Sequence, residues 1–219
     1  MKILLIALTK DFLRAKKPKK PKGTIFLRFP SLALANIAAL TPKEDKVIVI
    51  DEQISPVNYN LDVDLVAISV NTSVVPRAYE IADKFRERGV KVVFGGIHPS
   101  SMQKESLEHA DSIVAGDADG VWEELLNDFK NNKLKKKYVN NQERDLKYLP
   151  TPKWEIFKNM GYVNTNFVET SRGCTHNCSF CSTSPFYKHM HRVKPIENVI
   201  RDIKRVKSFP KKFIFFVDD

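Results

Sequence analysis

Cysteine is scarce in this chain, with three in 219 residues, and glycine is sparse at eight. An odd and small cysteine count excludes a disulfide framework and points to a reducing compartment. No apolar run approaches the length needed to cross a bilayer. The opening Met1-Lys-Ile-Leu-Leu-Ile-Ala-Leu8 is too short for a span, has no signal-peptide cleavage pattern and runs into Lys10-Asp11, so it reads as a buried strand of a cytoplasmic protein. No GxGxxG or Walker pattern occurs anywhere. Acidic residues are also in deficit, 26 against 36 Lys and Arg, for a net charge of +10. That excess lies largely in two lysine runs, 16–22 and 133–137, without interleaved aromatics, which favours solvated loops over a nucleic-acid surface.

What is present is an α/β pattern. Short apolar runs at Lys2–Leu8, Lys46–Ile50, Leu65–Val70, Val90–Phe94 and Ser112–Val114 alternate with amphipathic segments, as in a parallel Rossmann-like sheet covered on both faces. Ser31 can cap a helix through Leu40, and Thr72 or Ser73 one from Val74 to Arg88 that stops at Gly89; a third helix runs from Val121 to Asn131. In such sheets ligands sit beyond the carboxyl ends of the strands, where Gly95-Gly96 and Gly116 would let a cofactor approach the backbone. The expected division is a first domain over 1–138, a linker over 139–164 and a second unit over 165–219. That second unit holds a strand at Asn166–Thr170, a polar loop, a helix at Pro195–Ser208 with Ile196, Val199, Ile200, Ile203 and Val206 on one face, and a strand at Lys212–Val217. It is one βαβ unit, the start of an incomplete (β/α) barrel, and a second polypeptide or a dimer is the expected means of completing it.

All three cysteines fall in Cys174-Thr-His-Asn-Cys178-Ser-Phe-Cys181. Thiolates so crowded in a polar loop point to a metal centre. Structural zinc wants four ligands, which would require His189 or His191 and would make the chain a zinc-binding regulatory module. An iron–sulfur cube held by three thiolates leaves one iron open to an outside molecule.

With Ser171-Arg-Gly173 before it and an apolar strand behind, this loop resembles the cluster loop of the radical S-adenosylmethionine superfamily. The resemblance implies a [4Fe-4S] cluster on Cys174, Cys178 and Cys181, an electron donor, and S-adenosylmethionine chelated at the open iron. Reductive cleavage would then give a 5′-deoxyadenosyl radical. It implies further that Phe180 lies beside the adenine and that Asp218 and Asp219, ending the second strand, touch the methionine amino group, in place of the Gly-Gly-Glu-like motif usual there. The first 138 residues resemble the cobalamin-binding domain of one branch of that superfamily, through Asp51-Glu52, Asp64–Ser69, Arg77–Ile81, Gly95–Pro99 and Gly116–Trp122.

The histidine-bearing DxHxxG motif is missing, since the loop after the first strand reads Thr9-Lys-Asp-Phe-Leu-Arg14, and His98 is the one nearby alternative. The resemblance therefore implies cobalamin, where it binds, held by Ser69, Gly95 and Gly96 without histidine ligation, or an empty structural version of the domain. Methyl transfer or rearrangement on a small molecule is the implied reaction, with no catalytic residue assigned. The alternative is a truncated or split chain that binds cofactors without turning over alone.

Overall fold

The computed structural model describes residues 1–16, 28–140, 145–158, 160, 162, 165–207 and 213–219. The first lysine run, beyond Lys16, lies outside them. Six strands form one parallel sheet: β1 (Lys2–Ala7), β2 (Lys46–Asp51), β3 (Leu65–Ser69), β4 (Lys91–Gly95), β5 (Ser112–Ala115) and β6 (Lys137–Val139). Their order is β2-β1-β3-β4-β5-β6, so the chain reverses direction across the sheet between β1 and β3. A crevice at the carboxyl ends beside such a reversal is where open α/β sheets take ligands.

Side chains alternate across the sheet. Ile3 and Leu5 of β1 join one apolar cluster with Ala67, Val93 and Val114, while Leu4 and Ile6 join a second with Ile68, Val92 and Phe94. The first face is covered by α1 (Leu32–Leu40), capped by Ser31, and by α5 (Trp122–Lys130), following α3 (Ile97–Ser101) and α4 (Gln103–His109) in the chain. The second face is covered by α2 (Val75–Glu87), through Ala78, Ile81, Ala82 and Phe85. The cap expected from Thr72 or Ser73 is not made. Those residues belong to a 3-10 turn, Thr72–Val74, and Pro76 sits in the first turn of α2, where a missing N–H costs nothing.

β6 adds the sixth strand at the end of the first domain, its Tyr138 buried with the hydroxyl donating to Asp128 at 2.9 Å. The stretch expected as a linker packs onto the core. Leu146, Leu149, Trp154 and Phe157 are buried, and the Lys153 amide donates to the Ala35 carbonyl at 3.0 Å.

The second unit holds β7 (Thr165–Val168), β8 (Ser171–Arg172), α6 (Thr183–Phe186), β9 (Arg192–Val193), α7 (Ile196–Lys207) and β10 (Phe213–Phe216). β10 pairs parallel with β7, giving the expected strand–helix–strand unit; Lys212 lies outside the described residues. Of the α7 face, Val199 and Ile203 reach the core, whereas Ile196 and Ile200 are exposed; the side chain of Val206 lies outside the described set. Polar contacts set that tilt. Asn198 donates to the Lys147 carbonyl at 2.8 Å, Arg201 to that of Leu149 at 3.0 Å, and Thr151 to Asp202 at 3.0 Å.

Candidate functional site

A cavity of about 310 Å³ opens at the carboxyl ends of the central strands. Its inner wall is apolar, with Leu5, Ala67 and Val114 from the sheet, Leu32 and Ile37 from α1, and Trp122 from α5. Ser69, Gly95 and Gly96 all line it. Gly96 has φ +103°, and a Cβ there would lie 2.9 Å from the Val70 carbonyl oxygen, so only glycine lets the chain turn this tightly against β3. A hydroxyl joins the two glycine turns: the Gly116 amide donates to Ser100 Oγ at 3.0 Å, and Ser100 Oγ donates to the Gly96 carbonyl at 2.7 Å.

No histidine lines this cavity among the described residues. His98 is buried, its Nε2 3.1 Å from the Tyr79 hydroxyl, and so it faces the helical layer rather than the cavity. The 3-10 turn at Asp11–Leu13, where a DxHxxG histidine would fall, carries none.

The cysteine loop is closed at its base by the antiparallel pair β8 and β9, with Ser171 opposite Val193 and Arg172 opposite Arg192. Gly173, at φ +85°, enters it where a Cβ would run into the Met190 carbonyl oxygen, so that position too admits only glycine. All three thiols are free; Cys174 and Cys181 are half-buried and Cys178 is exposed. The Cys181 amide donates to the Cys178 carbonyl at 3.0 Å. The amides of Ser184 and Thr183 hold the Cys181 thiol below the ordinary thiol range, which favours the thiolate a metal needs. Phe180 is 91% exposed, so it does not pack its own loop.

Asp218 accepts from the Thr170 amide at 2.7 Å, the Ser171 amide at 2.9 Å and the Thr170 hydroxyl. Burial pushes its carboxyl up, but the Thr170 hydroxyl and the two amides prevail and hold it below its usual range. Asp219 accepts from the Gly173 amide at 2.9 Å through Oδ2. Both aspartates thus anchor the root of the cysteine loop. They also line a second opening of about 360 Å³, with Glu169 and Tyr187.

Between the cavity and the loop lies a buried ionic lattice. Arg172, 7% exposed, binds Glu169 through Nε at 2.7 Å and Asp119 through Nη1 at 3.0 Å, with Asp117 at 3.5 Å. Burial alone would lower its pKa; the carboxylates of Glu169, Asp119 and Asp117 outweigh that and hold it charged. Arg192 pairs with the same Asp117, and Lys194 lies 3.1 Å from Asp202. Asp117, Asp119, Glu169, Arg172 and Tyr187 also line the cavity. The Gly116–Trp122 and Ser171–Gly173 motifs flagged the sequence neighbourhoods of Asp117, Asp119 and Arg172. Nothing in the sequence flagged Glu169 or Tyr187, which reach the cavity only through the fold.

The residues fit the implied groups unequally. Among the described residues no three His, Cys, Asp or Glu side chains meet around one point, so the tetrahedral zinc site is not assembled. His189 Nδ1 instead lies 3.4 Å from the His176 carbonyl oxygen, and His191 is exposed. Three free thiols on one loop, one of them held toward thiolate, suit a cluster better, because each thiolate binds a different iron and the sulfurs need not converge. The apolar cavity with glycine turns suits a cobalamin held without histidine.

Comparisons with known proteins agree with this arrangement. Residues 21–126 match the B12 binding domain family. Over 185 residues the chain is 36% identical to bacteriochlorophyllide d C-8(2)-methyltransferase of Chlorobaculum tepidum, covering 81% of this chain and 41% of that protein. It is 28% identical over 198 residues to the C-12(1)-methyltransferase of the same organism, covering 86% and 43% respectively. In fold it resembles TsrM from Kitasatospora setae, a radical S-adenosylmethionine methyltransferase solved with cobalamin and a [4Fe-4S] cluster. That match has a TM-score of 0.68 at 15% identity and covers 100% of this chain and 49% of the other. The chain thus spans less than half the length of these relatives. Residues 21–126 thus carry a match to the B12 binding domain family, and the chain that runs from this sheet into the three-cysteine loop is similar to these methyltransferases.

Proposed function

We propose that these residues supply the cobalamin site and the cluster loop of a radical S-adenosylmethionine methyltransferase. One observation carries the reading: the cavity at the strand ends is walled on one side by the B12-type sheet and on the other by the root of the cysteine loop. A methyl carrier and a radical source would therefore lie side by side. When bound, the cluster with S-adenosylmethionine supplies radical chemistry and cobalamin carries the methyl group. Methyl transfer is favoured over rearrangement because the two curated relatives described above are named as methyltransferases. The proposed substrate is a small molecule, and turnover belongs to the whole protein.

The chain's own residues have separable tasks in this reading. Cys174, Cys178 and Cys181 hold the cluster, and exposed Phe180 offers a face to the adenine. Asp219 keeps Oδ1 without a protein partner among the described residues and can accept from the methionine ammonium, whereas both oxygens of Asp218 are occupied by loop donors. Ser69, Gly95 and Gly96, which line the cavity, would hold cobalamin there. Anaerobic reconstitution with iron and sulfide should give the brown absorbance of a stoichiometric cluster. Titration with hydroxocobalamin should saturate at one per chain. A colourless protein holding one zinc, or no cobalamin binding, would overturn the proposal.

A further inference from the structure

We propose that Arg172 is a positioning residue that ties the cysteine loop to the wall of the cavity, so that occupancy of either site is felt at the other. The inference rests on the reading that the cavity takes cobalamin and the loop a cluster, and extends it to how the two are joined. Arg172 and Arg192 stand opposite each other in the two-residue ladder that closes the loop, and both reach Asp117 on the turn after β5. Arg172 also reaches Asp119 on that turn and Glu169 on its own segment. The same turn lines the cavity with Asp117, Ala118 and Asp119, and Arg172 lines it directly.

A ligand that presses on this turn moves the carboxylates that hold both stems of the loop. Conversely, a cluster that fixes the loop fixes the two arginines and hence the turn. A planar guanidinium with several fixed donors is rigid in a way a single ammonium is not, so the joint transmits displacement rather than absorbing it. Two sites sharing such an element have linked affinities, and linkage is reciprocal.

The test uses the full chain under anaerobic conditions, with and without a reconstituted cluster. Hydroxocobalamin affinity is read by absorbance titration, and exchange of the backbone amides of residues 170–193 by mass spectrometry. The expected ratio of affinities between the two forms of the wild type is about five-fold or more, the lower end of ordinary coupling. In R172K and D119N it should collapse toward one while each cofactor still binds. In the cluster-free wild type, hydroxocobalamin should slow exchange across residues 170–193, a readout that holds even where a variant fails to fold. A wild-type ratio of one, an unchanged ratio in the folded variants, or no change in exchange would overturn the proposal. A wild type that binds neither cofactor would instead overturn the functional reading beneath it.

Discussion

Cys178, the exposed member of the three, separates metal binding from folding more cleanly than its half-buried neighbours. Cys178→Ala should abolish cluster absorbance while the thermal transition of the sheet domain stays in place; loss of that transition would count against two separable units. Asp51 gives a second residue-level expectation. Its carboxyl is buried at the end of β2, accepting from the Tyr162 hydroxyl at 2.7 Å and the Gln53 amide at 2.8 Å. Burial pushes its pKa up despite both donors. A carboxyl raised in the folded state contributes most below its unfolded value, about 4, and loses that contribution as pH rises through the folded value. Asp51→Asn should therefore melt higher than wild type near neutrality, with the gap closing toward pH 4; an equal gap at both ends of a melting series would refute it. The cysteines were legible because their spacing is local. Arg172 was legible only as part of a motif, since its partners Asp117 and Asp119 lie more than fifty positions away and meet it only through the fold.

The five strands from β1 to β5 could be read from sequence because strands buried on both faces are nearly continuous apolar runs. β6 could not: it is three residues long, with exposed Lys137 and Val139 around one buried tyrosine. The buried turn at Trp154–Phe157 has no period to detect, and its burial depends on α1 and β2 being in place. The helix cap at Ser31 was readable, whereas the start of α2 was displaced by Pro76. In α5, Trp122 lines the cavity while its Nε1 donates to Thr41 Oγ1 at 3.0 Å. Hydroxocobalamin should quench the fluorescence of Trp122. In Trp122→Phe, where Trp154 is the remaining indole, most of the quenching should vanish and stability should fall by about 1 kcal/mol from the lost buried hydrogen bond. Equal quenching in the variant would place the cofactor elsewhere.

Across the whole molecule, order should decline from the sheet toward β10. The four central residues of β1, Ile3–Ile6, are completely buried, while Phe215 and Phe216 of β10 are 50% and 59% exposed on a two-stranded pair. Hydrogen exchange should find the amides of β1, β3 and β4 most protected, those of residues 146–157 intermediate and those of β10 least. Protection in β10 equal to that of β1 would contradict this ordering. No helix among the described residues is long and apolar enough to cross a membrane. The excess positive charge is partly answered locally, as where Lys135 faces Glu124 and Asp128 on the surface. The lattice around Arg172 differs in kind from such pairs. Mobile ions screen exposed charges over roughly 8 Å at physiological strength and about 3 Å at 1 M, but they screen buried and partly buried pairs far less. Brine should therefore loosen the lysine fringe and leave the two units locked together, a seam that dialysis or a salt wash will not open.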